Sequence, residues 1–325
     1  MAKKKKKGGK ISWTLEVGLF LLLVVSLTLL VVYNPLKRKT ANYKSVETEI
    51  EEAEIPAEQQ NEPKIDLSQI HSYAGIVLRL RDGKVITQFR ENVRIFPASL
   101  TKIMTCIVAI EKIDDFQEVI PVEAGIFPDL YSRDASMAGF LPGEQAKAID
   151  LLYGMILPSG GECSVAVAEY TAGSEDAFVA WMNEKAQELG MNDTHFANVT
   201  GLHEESHYST VKDLSTGLKY ALKNETFKKI FETRSYSVSP TNQHPEGFTF
   251  YSSVFKLQDN WTLDNGEIKG GKTGYTDKAG LCLATEAVME NNEYIAVTAK
   301  ADGNHSTEPY HVYDAFCLYN QIKTN

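Results

Sequence analysis

Apolar and polar positions alternate over residues 73–80, break at Arg81-Asp82-Gly83-Lys84, and alternate again over residues 85–89, which predicts a β-hairpin. The period then changes. Leu100, Ile103, Met104, Ile107, Val108 and Ile110 fall three and four apart, so residues 99–113 are predicted to form a helix with a core-facing stripe. Pro97 stands just ahead, where helices commonly begin. Helical patterns continue over residues 148–157, 163–172, 174–189 and 210–222. Strand patterns return over residues 267–273, 280–289 and 294–299, followed by a last helix over 308–321. Strands at both ends with helices between predict an α/β domain, with a mixed, mainly antiparallel sheet flanked by helices.

The first 66 residues follow another pattern. Lys3 to Lys7 and Lys10 form a basic block, and residues 17–33 carry no charge, the lower bound of a bilayer span. Trp13 and Tyr33 frame the run as interfacial aromatics do. The excess of lysine ahead of it predicts a cytoplasmic basic tail (1–12), a single transmembrane signal-anchor helix (13–34) and an extracytoplasmic remainder on the cell membrane. A cleaved signal peptide would need a small-x-small site, which Val31-Val32-Tyr33-Asn34-Pro35 lacks. Residues 35–66, rich in Glu, Gln, Asn and Ala, read as an acidic linker reaching roughly 30 Å as a coil and nearer 100 Å if stretched. Residues 46–54 also allow a helix there. Residues 67–325 are then the folded domain, large enough for one sizeable core or two packed lobes.

The net charge of −10 understates an asymmetry. Six of the 33 basic residues and one of the 43 acidic residues lie at or before residue 33, leaving about −15 beyond it. That balance excludes a nucleic-acid partner. Cys106, Cys163, Cys282 and Cys317 show no C-x-x-C spacing and read as buried free thiols, although an oxidising exterior would permit a disulfide.

Within this frame three short strings carry chemistry: Ser99-Leu100-Thr101-Lys102, Ser159-Gly160-Gly161 and Lys272-Thr273-Gly274. S-x-x-K alone says little, since Ser209 to Lys212 and Ser253 to Lys256 also fit it, and Ser99 could simply cap a helix. The order of the three strings, with Ser99 and Lys102 one turn apart on the predicted helix, instead describes a serine nucleophile whose base is a lysine. Lys102 accepts a proton only when neutral, and both burial and a second cation, Lys272, would lower its pKa. Gly274 would let its strand approach a bound peptide closely. His203-Glu204-Glu205-Ser206-His207 fits the zinc-protease string H-E-x-x-H, but Gly201 before it and Ser209-Thr210 after it favour a loop. His71, His195, His244 and His305 are scattered, and neither a metal nor a cofactor is expected.

Over about residues 72–318 the chain resembles the D-alanyl-D-alanine carboxypeptidases, the low-molecular-mass penicillin-binding proteins of the S11-like serine peptidase family. The resemblance rests on the segments at residues 96–105, 151–160 and 271–276, on Ala279-Gly280, and on a block of the form M-x-x-T-x-F-x-N-x-x-G-L at residues 191–202. It implies a transpeptidase/β-lactamase-like fold and a Ser99 acyl-enzyme, with removal of the terminal D-alanine from peptidoglycan stem peptides and trapping by β-lactams. It further implies that Lys102 is the general base, that Ser159 relays the proton, and that Lys272 and Thr273 hold the substrate carboxylate. Backbone N–H groups of Ser99 and Tyr275 would form the oxyanion hole. Wall trimming and cell-shape control are the roles it suggests. Relatives with a further β domain and a C-terminal amphipathic anchor lead to the expectation that the N-terminal helix anchors this chain instead. Two positions depart from the family pattern: Gly161 stands where the second motif carries Asn, and His311 aligns where relatives place a carboxylate-gripping Arg. These departures keep open a weakened, non-enzymatic peptidoglycan-binding module. The shared motifs keep open a D,D-endopeptidase or transpeptidase, and a β-lactamase.

Overall fold

The predicted hairpin at residues 73–89 forms the first two strands of a computed structural model that describes residues 65–323. The basic block, the uncharged run at 17–33 and nearly all of the acidic linker lie outside the described residues. Among the described residues no helix is long and apolar enough to cross a membrane.

Strands β1 (Ala74–Arg79) and β2 (Val85–Phe89) pair antiparallel across a turn in which Asp82 Oδ1 accepts from the Lys84 N–H (3.1 Å). Helix α1 (Thr101–Lys112) follows a 3-10 turn (Ala98–Leu100). Next come β3 (Val119–Val122), α2 (Phe127–Ser132), β4 (Glu144–Lys147) and α3 (Ala148–Ile156). Helices α4 (Gly161–Ala172), α5 (Glu175–Glu188), α6 (Val211–Ala221) and α7 (Glu225–Glu232) complete the helical part. Strands β5 (Ser235–Val238), β6 (Phe248–Tyr251), β7 (Thr262–Leu263), β8 (Gly266–Thr276), β9 (Gly280–Met289) and β10 (Asn292–Ala301) precede α8 (Tyr310–Asn320).

The main sheet has six strands in the order β2-β1-β10-β9-β8-β7, each pair antiparallel. Its period-two side chains feed two cores. Ile76 and Leu78 of β1, Ala284 of β9 and Ile295 and Val297 of β10 join the core built with α1 and α3 to α7. Val77, Leu283, Ala287, Tyr294 and Ala296 point the other way, onto α8. Ten consecutive residues of α1, Thr101 to Ile110, are buried, so this helix is enclosed on all sides rather than along one stripe. The expected α/β fold with a mainly antiparallel sheet is the one observed. The additions are two small hairpins, β3-β4 and β5-β6, and the short helices α2 and α7.

β7 pairs with β8 only at Thr262↔Glu267 and Leu263↔Gly266. Beyond Ile268 the outer edge of β8 has no strand partner among the described residues, and this edge faces the cleft.

Candidate active site

Ser99 does not sit on the first α-helical turn but on the 3-10 turn ahead of α1. Ala98 before it has a positive φ (46°), a conformation rare for a residue with a side chain and common at functional sites. Two glycines make room for this turn. A Cβ on Gly201, itself at φ 81°, would lie 1.9 Å from the Ala98 carbonyl oxygen. A Cβ on Gly274 would lie 3.1 Å from the Ser99 nitrogen. The 200–201 loop and β8 therefore clasp the Ser99 turn from two sides.

Lys102 Nζ donates to Ser99 Oγ (3.1 Å) and to the Thr200 carbonyl oxygen (2.7 Å). Burial pulls its ammonium down to about 7, against the nearby Glu162 and Cys163, which push it back up. Thr200 was not singled out in the sequence, but its signal is the 191–202 block. Asn198 Oδ1 accepts from the N–H groups of Thr200 (3.2 Å) and Gly201 (2.7 Å), and its Nδ2 donates to the Leu202 carbonyl (2.9 Å). The block thus folds a loop whose carbonyl meets Lys102.

The second couple lies opposite. Lys272 Nζ donates to Ser159 Oγ (2.8 Å) and to the Thr273 carbonyl (2.8 Å). Lys272 is fully buried, and burial first and the Lys102 charge second drive it well below the usual lysine range. Ser159 is held at φ 70°, another strained non-glycine position. Thr273 Oγ1 shares a 2.7 Å hydrogen bond with Ser253 Oγ, the serine of an S-x-x-K string set aside above as a chance match.

The cleft has two halves that share Ser99, Ser136, Tyr275 and His305. One half adds Ser159, Ser253, Thr273, Gly274 and His311. The other adds Lys102, Arg133, Thr200, His203 and Lys278. Ser99, Lys102, Ser159, Lys272, Thr273, Gly274 and Tyr275 are thus brought together, with Lys272 bonded beneath the lining. His311 also lines the cleft, but burial lowers it to about 4 although Asp314 pulls it up, so its ring is neutral at neutral pH. Gly161 does not line either half. It faces Leu130, Ala135 and the Ser136 carbonyl behind the wall.

The H-E-x-x-H stretch contains no helix. His207 is buried between Thr101 Oγ1, 2.7 Å from its Nε2, and the Ala197 N–H, which donates to its Nδ1 (3.0 Å). Burial lowers His207 to about 3. His203 instead packs edge-on to Phe96 at the cleft. Cys106, Cys163 and Cys282 are buried free thiols, and Cys317 is half-buried and free.

Residues 57–303 match the family model described as D-alanyl-D-alanine carboxypeptidase. The chain is 35% identical to the D-alanyl-D-alanine carboxypeptidase DacF of Bacillus subtilis (strain 168) over 228 residues, which cover 70% of this chain and 57% of that one. It is 34% identical to DacA of Escherichia coli (strain K12) over 229 residues, 67% of this chain and 53% of that one. The chain therefore spans little more than half the length of these curated relatives. Among solved structures, a Streptomyces DD-transpeptidase superposes with a TM-score of 0.71 at 24% identity, covering 78% of this chain and 97% of that one. The D-alanyl-D-alanine carboxypeptidase of Mycobacterium tuberculosis H37Rv gives 0.69 at 24% identity, covering 81% and 94%. These two likenesses establish the fold.

Proposed function

Since the chain belongs to the D-alanyl-D-alanine carboxypeptidase family of serine hydrolases, we propose that it removes the terminal D-alanine from peptidoglycan stem peptides through an acyl-enzyme on Ser99. The observation that carries this reading is the meeting of two serine–lysine couples, each with a buried lysine, in one cleft.

Ser99 Oγ attacks the carbonyl carbon of the penultimate D-alanine while its proton passes to neutral Lys102 Nζ. With Lys102 near 7, a substantial share is neutral at physiological pH. The developing oxyanion is met by the Ser99 and Tyr275 N–H groups, a donor arrangement worth about 10²- to 10³-fold per donor. As the C–N bond breaks, the proton taken up by Lys102 passes through the Ser159 hydroxyl, which Lys272 holds in place (2.8 Å), to the leaving nitrogen, and Lys102 returns to its neutral form. Water then cleaves the Ser99 ester, with Lys102 again taking the proton. The free edge of β8 would pair with the extended peptide. Lys272 and Thr273 would receive the terminal carboxylate, with neutral His311 acting as a wall rather than a cation. Penicillins would acylate Ser99 by the same attack.

The proposed setting is the outer face of the cell membrane. The lysine block and the uncharged run at 17–33 support an N-terminal anchor with a cytoplasmic N-terminus.

Intact mass of the full chain in detergent, after exposure to benzylpenicillin, tests the chemistry. The expected result is one covalent adduct, absent in Ser99→Ala, together with D-alanine release from a D-Ala-D-Ala peptide. No adduct at high drug concentration would sink the acyl-enzyme and favour a binding module.

A further inference from the structure

The first turn of α4 does more than follow Ser159. It grips the loop between α2 and β4. The Gly161 N–H donates to the Ser136 carbonyl (2.7 Å), and Glu162 Oε1 accepts from the N–H groups of Ala138 (2.6 Å) and Gly139 (2.9 Å). Glu162 is fully buried, and its Oε2 has no hydrogen-bond partner. Keeping a carboxylate so buried is costly, and its two bonds to the loop are what it provides in return. The fit is close. A Cβ at position 161 would lie 3.1 Å from Leu130 Cδ2, 3.3 Å from Ala135 Cβ and 3.4 Å from the Ser136 carbonyl oxygen, so a glycine lets the loop settle there.

The gripped loop delivers one residue to the cleft. Ser136 lines both halves, on either side of the nucleophile. It is exposed, and while its carbonyl is used by Gly161, its hydroxyl has no partner among the described residues. A free hydroxyl beside the reacting serine, on a loop held by three hydrogen bonds, is a donor and acceptor prepared for a peptide backbone.

We infer that Ser136 is a substrate-binding residue that hydrogen-bonds the peptide backbone beside the scissile bond, with Glu162 and Gly161 as the positioning residues that hold it there. This rests on the carboxypeptidase reading of the same cleft. The chain thereby recognises its peptide partly through a loop that none of the three chemical strings contains.

The test uses the full chain in detergent, a D-Ala-D-Ala peptide for turnover and benzylpenicillin for labelling of Ser99. Ser136→Ala is expected to raise KM about 3- to 10-fold, the loss of one hydrogen bond, with kcat within about twofold. Ser136→Thr keeps the hydroxyl and should keep KM. Glu162→Ala should raise KM similarly, whereas Glu162→Gln retains an acceptor oxygen for both N–H groups and should restore it. Gly161→Asn should displace the loop and also raise KM. Ser136 is exposed, so its variants do not threaten folding. Penicillin labelling with an unchanged KM in Ser136→Ala overturns the role of Ser136 alone. A Gly161→Asn chain with improved KM, or a Glu162→Gln chain as impaired as Glu162→Ala, overturns the positioning roles. Absence of both labelling and turnover in the unaltered chain overturns the carboxypeptidase reading and this inference with it.

Discussion

The cleft holds two serine–lysine couples that look alike and are built differently. Ser99 and Lys102 are three residues apart, and the start of α1 brings them within 3.1 Å. Ser159 and Lys272 are 113 residues apart and meet at 2.8 Å only because α4 and β8 are both packed in place. Both lysines are buried, both donate to a serine and to a backbone carbonyl, and both are pushed down, but Lys102 has the Glu162 carboxylate in its surroundings. Lys272 has a neighbouring cation instead. Local spacing is enough to pair Ser99 with Lys102, whereas the meeting of Ser159 and Lys272 needs the whole fold.

The sharpest break in that comparison is Ser99→Ala. We predict a loss of at least about 10⁴-fold in D-alanine release, measured as kcat/KM. Release that persists would place the nucleophile elsewhere. On the remote side, Lys272→Met is predicted to slow benzylpenicillin acylation by about 10³-fold and Ser159→Ala by about 10²-fold, since general acid–base transfer contributes in that range. A Ser159→Ala chain that acylates at the full rate would remove Ser159 from the relay.

The pH profile separates the couples further. Lys102 acts only when neutral, so acylation should rise about tenfold per pH unit below 7 and level off above it. Glu162 raises Lys102, so Glu162→Gln should move this limb to lower pH. A limb that stays put in Glu162→Gln would show that the carboxylate does not act on Lys102.

The smallest effect is on stability. Lys102 titrates near 7 in the folded chain and near 10.5 when unfolded, so the folded state binds fewer protons between these values. The unaltered chain should therefore gain stability as pH rises from 7 toward 10.5. Lys102→Met lacks this term, and any advantage it has at pH 6 should shrink by more than about 1 kcal/mol by pH 10 in denaturant melts. A pH-independent difference would mean that Lys102 is not depressed.

How much of this was readable beforehand follows from the range of the contacts. The β1-β2 hairpin, β8 to β10 and the central helix announce themselves through period and a local turn. β3 and β4 do not, because Val119–Val122 pairs with Glu144–Lys147 across an excursion that contains α2. α7 is short, although Asn224, which caps it by accepting from Thr226 and Phe227, was a usable signal. The motif residues were legible because their chemistry is spelled in order. Ser253, Ser136 and Thr200 reach the cleft on loops whose positions depend on distant elements, and only Thr200 has a flanking pattern to point at it. Ser99 itself was expected on an α-helical turn, but clasping by the 200–201 loop and β8 goes with a tighter one.

One carboxylate at the far end of the chain has a mechanical meaning. Asp314, buried in α8, accepts from the His71 N–H and Nδ1 and from the Ser72 N–H and hydroxyl. His311, a wall of the cleft, stands on the same turn of that helix. A pull on the backbone ahead of residue 71 is therefore borne by the far end of the chain, first where the Gln321 amide exchanges two bonds with Asp66 and then by four bonds to the single Asp314 side chain, one helical turn from the cleft, before it reaches the sheet.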